Sequence, residues 1–438
     1  MIPAARLYGL LMIGIAIAGV VAAILPSSIQ LIGAVGSVVL YDGVVLAIAG
    51  WDARRVRSNK VSVSRLPLQR FSINRDNPVA LSVETRTAAT LQIRDGYPSD
   101  FSVSVPTFKT SLPPSSVNDL TYTVRPTHRG EFKWTDIHVR QLGAWGLAWH
   151  QWAVPQVEAV SVYPDLVGLR ELTIRLTLQS AGTIRQARRQ GMGTEFAELR
   201  DYATGDDPRL IDWKATARRN RPLVQVLEPE HEQTLMILLD RGRLMTARVQ
   251  ELSRFDWGLN AALSLAMAGL HRGDRVGVGI FDRTLHRWIP PERGQHHLSH
   301  LIETLAPVQP VLLEPDYRGA LTTVVTRQTR RALIVVITDI VDPTASIELL
   351  TALRQLAPRH LPFCVTLRDP EVDQQASRLS RDVTSAYRQA VALDLLHQRQ
   401  VAFAELRRKG VLVLDAPANQ ISDQLVEQYL QLKARNRL

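Results

Sequence analysis

Hydrophobic and polar positions change rhythm three times along this chain. Leu7–Leu25 contains no charged residue, and Ile29–Ala49 contains only Asp42. Each stretch is close to the roughly 20 apolar residues that a bilayer-spanning helix needs. "PSS", residues 26–28, predicts a tight turn between them. The first stretch is longer than the roughly 7–15 residues of a signal-peptide core, and a second follows at once, so a transmembrane helical hairpin is predicted over residues 1–52. Residues 60–165 alternate instead: "VSVSRLP", "VALSVETRT", "ATLQIRD", "FSVSVP", "LTYTVRP", "EFKWTDIHVR" and "VEAVSVYP" are short period-two runs broken by Pro, Gly, Asn and Asp. That texture predicts an all-β, immunoglobulin-like sandwich. From residue 231 to 438, continuous apolar runs alternate with amphipathic helices. "TLMILLD", "RVGVGIFD", "RALIVVITDI", "LPFCVTLRD" and "GVLVLDAP" read as strands, with "HRWIPP" at an edge and a long helix over Asp382–Lys409. This predicts a doubly wound α/β domain with a mostly parallel sheet covered on both faces. Residues 166–230 follow neither rhythm and form a connecting segment. The fold class is therefore multidomain.

In such sheets ligands bind at the carboxyl ends of the strands. Three predicted central strands end in Asp240, Asp282 and Asp339. Asp240 and Asp339 are expected to approach each other there, where paired carboxylates can hold a hard cation.

Charge refines the picture. The net charge of +10 is mostly arginine, which favours an anionic surface of lipid, nucleic acid or acidic protein. Arg54, Arg55, Arg57 and Lys60 follow the second apolar span and Arg6 precedes the first, while the turn between has no cation. The positive-inside rule then puts both termini and the soluble domains in the cytoplasm, on a multi-pass protein of a bacterial inner membrane. Trp51 falls at the interface, and Asp42 should face the partner helix, another subunit or the headgroups. Trp145, Trp149 and Trp152 read as core and edge packing, or as an exposed patch resting on a membrane or partner. Cys364, the single cysteine, excludes an internal disulfide and reads as a small buried hydrophobe.

The connecting segment holds "GTEFAELRDYATGDDPRLIDWKATARRNRPLVQV". Asp201, Asp206, Asp207 and Asp212 interleave with Arg200, Arg209, Lys214, Arg218 and Arg219. This interleaving favours internal ion pairs and caps, with Asp207 capping a helix that starts at Pro208. A docking surface and a metal cluster are the alternatives.

The residues here resemble a known family. "FAELRDYATGDDPRLIDWKATAR", "HRGDRVGVGIFD", "VVITDI" and the terminal "YLQLK" are similar to the bacterial membrane proteins of the domain-of-unknown-function 58 family. The strand ending in Asp240 and the "ITD" strand end resemble a von Willebrand factor A domain. The family resemblance implies a non-enzymatic, membrane-bound adaptor or assembly partner of a MoxR-type AAA+ ATPase, in assembly or envelope-related processes. The von Willebrand resemblance implies a metal-ion-dependent adhesion site with Asp-x-Ser-x-Ser on its first loop. Here those positions are Asp240, Gly242 and Leu244, so both hydroxyls are missing. Asp339 remains, with Asp316 of "EPDYRGAL" as a further carboxylate. Arg241 and Arg243 flank the loop, and one of them is expected to pair with Asp240, leaving a degenerate site in which magnesium is possible but not required.

Other chemistry has little support. His296 and His300 share a helical spacing that can bind zinc, but no HExxH motif accompanies them. No phosphate-binding loop or nucleophile elbow occurs, so no enzyme or resident cofactor is expected. The leading expectation is an adaptor whose partner surface comprises Arg200, Asp201, Tyr202, Asp206, Asp207, Arg209, Asp212, Trp213, Arg241 and Arg243. A second is binding of nucleic acid or a lipid surface through Arg185, Arg188, Arg189, Arg218, Arg219 and Arg221, although no nucleic-acid motif is present. A third is a metal-dependent adhesive or hydrolytic domain using Asp240 and Asp339. Oligomeric state is not set by the sequence.

Overall fold

The computed structural model describes residues 2–26, 28–187, 195–228, 233–340, 347–357, 359–379 and 382–435. The chain divides into two compact units, Met1–Tyr163 and Pro164–Leu438. The hairpin and the 60–165 strands thus fall into one unit, and the 166–230 segment into the other with the α/β domain.

In the first unit, α1 (Ala5–Ile24) and α2 (Gln30–Ser58) are both long and apolar enough to cross a membrane. The expected turn at 26–28 lies partly outside the described residues. Asp42 is directed at α1: a Cβ placed on Gly14 would lie 2.5 Å from its Oδ1. A glycine is therefore what lets the carboxylate fit between the helices. Strand β1 (Ile2–Pro3) precedes α1. Ten strands follow α2: β2 (Ser62–Arg65), β3 (Phe71–Ser72), β4 (Asn77–Thr85), β5 (Ala89–Gly96), β6 (Ser102–Val103), β7 (Phe108–Leu112), β8 (Ser116–Arg125), β9 (Gly130–Leu142), β10 (Ala148–Val154) and β11 (Glu158–Tyr163). One sheet runs β2-β4-β8-β6. The other runs β1-β10-β9-β11-β3, with β5 and β7 continuing from β9.

Alternation does what the sequence predicts along β4, where Asn77, Val79, Leu81, Val83 and Thr85 are buried and the residues between are more exposed. The core centres on Trp134, with Phe71 and Phe101 edge-on to it at 5.4 and 5.5 Å. A buried polar pair ties the sheets together: Arg65 of β2 donates from Nε to Asp95 of β5 at 3.0 Å, and the Tyr122 hydroxyl of β8 donates to the same carboxylate at 2.6 Å. Burial, reinforced by Asp95, pushes the Tyr122 hydroxyl far above its usual range. The three expected packing tryptophans are not deep core. Trp145 is exposed, while Trp149 and Trp152 are half-buried.

The second unit begins with α3 (Leu166–Ala187), so the first third of the connecting segment is helical. Its Leu169, Leu172 and Leu176 enter the α/β core. Then come β12 (Glu195–Asp201), α4 (Trp213–Arg219) and β13 (Leu223–Glu228); β12 and β13 form a two-stranded antiparallel ribbon. The main sheet is built from β14 (Thr234–Asp240), β17 (Arg275–Phe281), β18 (Leu285–Glu292), β19 (Leu333–Thr338), β20 (Leu361–Arg368) and β21 (Leu412–Pro417), with a small hairpin of β15 (Arg248–Val249) and β16 (Leu252–Ser253). Its order is β18-β17-β14-β19-β20-β21; only the β17–β18 pairing is antiparallel. The helices are α5 (Arg254–His271), α6 (Gln295–Leu305), α7 (Tyr317–Arg327), α8 (Ile347–Leu356), α9 (Pro370–Ser377), α10 (Val383–Arg408) and α11 (Ile421–Ala434).

Strand β14 is buried on both sides because both faces are covered. Leu235, Ile237 and Leu239 join the core with α3, α5, α6 and α11, and Met236 and Leu238 join the core with α7, α8 and α10. Full burial of each such side chain contributes about 1.5–3 kcal/mol. That explains why the strand reads as a continuous apolar run. Residues 341–346, between β19 and α8, lie outside the described set. Cys364 is fully buried in β20, where burial pushes its thiol up to about 12.

Candidate functional site at the carboxyl end of the sheet

Asp240 ends the central strand and is fully buried. Its Oδ1 accepts the Gly242 amide at 2.7 Å. Its Oδ2 accepts the Thr338 hydroxyl at 2.7 Å and the Tyr317 hydroxyl at 3.1 Å. Burial raises its pKa to about 6, although these three donors pull the other way. The same burial lifts Tyr317 well above its usual range, with the Asp240 charge adding to it.

The loop after Asp240 has no room for a ligating side chain at 242. A Cβ on Gly242 would lie 2.8 Å from the Leu313 carbonyl oxygen and 3.0 Å from the Pro315 ring. Residues 311–315 are laced onto this loop by Val311 N–H to Arg241 O and Arg243 N–H to Leu313 O, both at 2.8 Å. The missing hydroxyl at 242 is thus a packing requirement of the neighbouring segment.

Asp339 is neutralised from two sides. Arg254, the first residue of α5, reaches Oδ2 at 2.7 Å, and Arg399 of α10 reaches Oδ1 at 2.7 Å. Arg254 is positioned by the capping box of α5, in which Ser253 and Asp256 satisfy each other's backbone amides. Arg399 also donates to the Ile340 carbonyl at 2.6 Å and to Asp415 Oδ1 at 2.8 Å. Asp415 is held in addition by Arg368 at 3.0 Å, which pairs with Asp373 at 2.9 Å. Burial works against the charge on Arg399, but Asp339 and Asp415 outweigh it and leave its pKa raised. The result is an alternating row, Arg254–Asp339–Arg399–Asp415–Arg368–Asp373, with equal numbers of cations and carboxylates.

The expected flanking arginines lie elsewhere. Arg241 pairs with Asp282 at 2.7 Å, and Arg243 pairs on the surface with Glu314 at 2.6 Å. Neither supplies a partner to Asp240. Burial alone would raise the pKa of Asp282, but the Thr284 amide and the Arg241 guanidinium outweigh it and leave it lowered. Asp316 caps α7, accepting the Gly319 amide at 2.7 Å. These placements differ from the expected site because sequence proximity favoured Arg241 and Arg243. The cations that do reach Asp339, Arg254 and Arg399, lie 85 and 60 residues from it in sequence. The position of Arg254, directly after the Ser253 N-cap of a Ser-x-x-Asp box, is the one local signal that marks it.

A magnesium or calcium ion needs several oxygen ligands. Among the described residues, no group of three or more His, Cys, Asp or Glu is placed to hold one. Both oxygens of Asp339 are engaged by guanidinium groups, and both oxygens of Asp240 by hydrogen-bond donors. The donor set does not fit a hard cation.

The polar ribbon is ordered by its own charges. Arg200 grips Asp206 with two bonds at 2.8 and 2.6 Å, and Arg221 reaches Asp201 at 3.0 Å. Asp207 accepts the Arg209 amide at 2.9 Å with Pro208 at the first position of a 3-10 turn. Asp212 caps α4 through the Ala215 amide at 2.9 Å and accepts the Gln225 amide group at 2.9 Å. The pKa of Asp206 is lowered, chiefly by Arg200, and that of Asp212 by the Ala215 amide. Tyr202 is half-buried, and its hydroxyl faces the Asp206 carbonyl at 3.4 Å. Trp213 is 70% exposed, with exposed Arg209, Lys214, Arg218 and Arg219 nearby in sequence. Arg188 and Arg189 lie outside the described residues, and Arg185 belongs to α3. His296 and His300 are exposed on α6, whereas His297 between them is buried against the Val276 carbonyl at 2.7 Å.

Residues 198–379 match the family described as "Protein of unknown function DUF58". The match covers 182 of the 438 residues, less than half of the chain. It runs from the ribbon through the ends of β14, β17 and β19 to α9. Uncharacterized protein Rv1480 of Mycobacterium tuberculosis is 27% identical over 182 residues, covering 41% of this chain and 56% of that protein. Uncharacterized protein YeaD of Bacillus subtilis is 26% identical over 110 residues, 25% of each chain. The chain thus spans about half the length of the mycobacterial relative it matches. Among solved structures, BatB from Bacteroides thetaiotaomicron aligns over 46% of this chain and 99% of its own, at 15% identity and a TM-score of 0.33. An aerotolerance-related membrane protein from Bacteroides fragilis aligns over 45% and 99%, at 14% identity and a TM-score of 0.30.

Proposed function

We propose that this DUF58 protein is a non-enzymatic membrane adaptor that docks a protein partner. In this reading α1 and α2 cross a bacterial inner membrane, and the basic run after α2 keeps both ends and both units in the cytoplasm. The strands of the first unit form an immunoglobulin-like sandwich. The second unit is a von Willebrand A-like domain whose metal is replaced by Arg254 and Arg399.

The observation that carries the adaptor reading is Trp213. It stands 70% exposed on a helix capped by Asp212, in a ribbon whose neighbouring carboxylates are already satisfied within the segment. An aromatic side chain held on a preorganised polar platform is the residue type that dominates protein interfaces. Arg200, Asp201, Tyr202, Asp206, Asp207 and Arg209 supply the platform, with the Arg241–Asp282 and Arg243–Glu314 pairs as further polar surface. The partner we propose is a MoxR-type AAA+ ATPase, as the family resemblance implies.

Affinity-tagged chain extracted in mild detergent with nucleotide should retain this ATPase. Trp213→Ala should weaken retention at least about thirtyfold, the effect of a 2 kcal/mol hot spot, without changing the unfolding temperature. Recovery of no ATPase, or equal recovery with the Trp213→Ala chain, would contradict the proposal.

A further inference from the structure

At the end of α2 the first unit builds a surface that the adaptor reading does not use. Trp51 of α2 packs against Trp145 of the turn between β9 and β10, with ring centroids 5.3 Å apart. Both rings are still about half exposed, at 52% and 49%. The guanidinium of Arg55 lies over the Trp51 ring at 5.6 Å, and the ammonium of Lys60 over Trp152 at 5.6 Å. His150 stacks on Trp152 at 5.7 Å. Arg6 lies along the turn itself, where a Cβ on Gly146 would meet its guanidinium at 3.2 Å. Gly146 has a φ of +72°, so a glycine both makes the turn and leaves space for Arg6.

Charge on this surface is one-sided. Arg54, Arg55, Arg57 and Lys60 are exposed, whereas the one acid of residues 50–60, Asp52, is buried and its Oδ1 accepts the Trp145 amide at 3.4 Å. The field is felt by His150, whose pKa is lowered by burial first and then by Lys60 and Arg57.

The level of this surface follows from α2. Gln30 to Gly50 rises about 30 Å at 1.5 Å per residue, the thickness of the hydrocarbon core. Residues from Trp51 onward therefore emerge among the headgroups. Because Trp145 is packed on Trp51, the β9–β10 turn is brought to the same level. The turn is fixed there: Ala4 N–H donates to the Leu147 carbonyl at 3.0 Å, and Leu7, Val45, Ala49 and Leu147 share a small apolar cluster. Amphipathic indole rings with cations beside them suit the bilayer interface, and a surplus of cations there attracts anionic lipid.

We infer that the β9–β10 turn is a membrane foot: Trp145 and Trp51 seat in the headgroup layer, and Arg6, Arg55, Arg57 and Lys60 bind the phosphates of anionic lipids. The inference rests on the spanning hairpin proposed above, and the test separates the two. The full-length chain carrying Ala144→Cys is labelled with a polarity-sensitive fluorophore; the native Cys364 is buried. It is reconstituted into phosphatidylcholine vesicles with or without phosphatidylglycerol. With phosphatidylglycerol, the probe should be quenched by brominated lipid and severalfold less accessible to acrylamide than in phosphatidylcholine alone. Arg55→Glu with Lys60→Glu should remove that difference. A probe at 144 as open to acrylamide in both lipids as one at exposed Val117 would overturn the foot, and equal shielding in both would overturn the anionic preference. Release of the chain from both vesicles by alkaline washing would overturn the hairpin, and the foot with it.

Discussion

Replacing Arg399 with alanine is expected to lower the unfolding temperature of the α/β unit by about 10 °C. Arg399 sits between Asp339 and Asp415, contacting both at 2.7–2.8 Å and the Ile340 carbonyl at 2.6 Å. Its removal strips each carboxylate of one of its two cations, and those that remain, Arg254 and Arg368, are more exposed than Arg399. Breaking a buried ion pair from one side costs about 3–5 kcal/mol, because the partner is left charged without compensation. In a unit of this size each kcal/mol moves the midpoint by about 2–4 °C. Arg399→Lys should recover part of the loss, since an ammonium keeps the charge but cannot bridge two carboxylates as a guanidinium fork does. Calorimetry on the purified chain in detergent measures both variants. An Arg399→Ala chain melting with the parent would mean that the row is not holding the sheet ends together.

The second large effect is a pH dependence that Asp240→Asn should remove. The folded-state pKa of Asp240 is about 6, against about 3.9 for an unfolded chain. Between these values the folded protein holds a proton that the unfolded chain has released. The stability Asp240 contributes is therefore complete below pH 4 and is lost as pH rises through 6. A two-unit difference corresponds to about 3 kcal/mol. Asparagine presents an uncharged group of the same shape, and the hydroxyls of Tyr317 and Thr338 can turn to accept from its amide. Compared with its parent, the Asp240→Asn chain should gain about 3 kcal/mol between pH 4 and pH 7, as read from urea unfolding at each pH. A metal-bound carboxylate would respond the other way, since it is needed ionised. A parent that stays level with, or gains on, the variant as pH rises would contradict the burial account.

Much of the architecture is legible from local pattern. The strand runs ending in Asp240 and Asp339 announce themselves because both faces of a covered parallel sheet select apolar residues. Alternation marks β4, β5 and β8 for the opposite reason: one face is wet. The elements that escape are those whose role is set by distant partners. Strand β10 hides in "LGAWGLAWHQW" because its neighbours are α2 and β1 as well as β9, so its faces do not separate into core and solvent. Helix α3 hides in a polar segment because its described contacts with the core are few: Leu169, Leu172 and Leu176, with Leu166 partly buried against them. The candidate site shows the same division. Asp240, Gly242 and Leu244 reveal that hydroxyl ligands are missing. What replaces them cannot be read nearby, because Arg254 and Arg399 reach Asp339 through the tertiary fold, while the adjacent Arg241 and Arg243 turn to Asp282 and Glu314.

In the proposed function, the guanidinium groups of Arg254 and Arg399 stand where a von Willebrand A domain would hold a divalent ion. Calorimetric titration of Mg2+, and separately Ca2+, into the purified full-length chain tests it most directly. The predicted result is no saturable heat and no rise in unfolding temperature at millimolar ion. Stoichiometric binding that Asp240→Asn abolishes would contradict it.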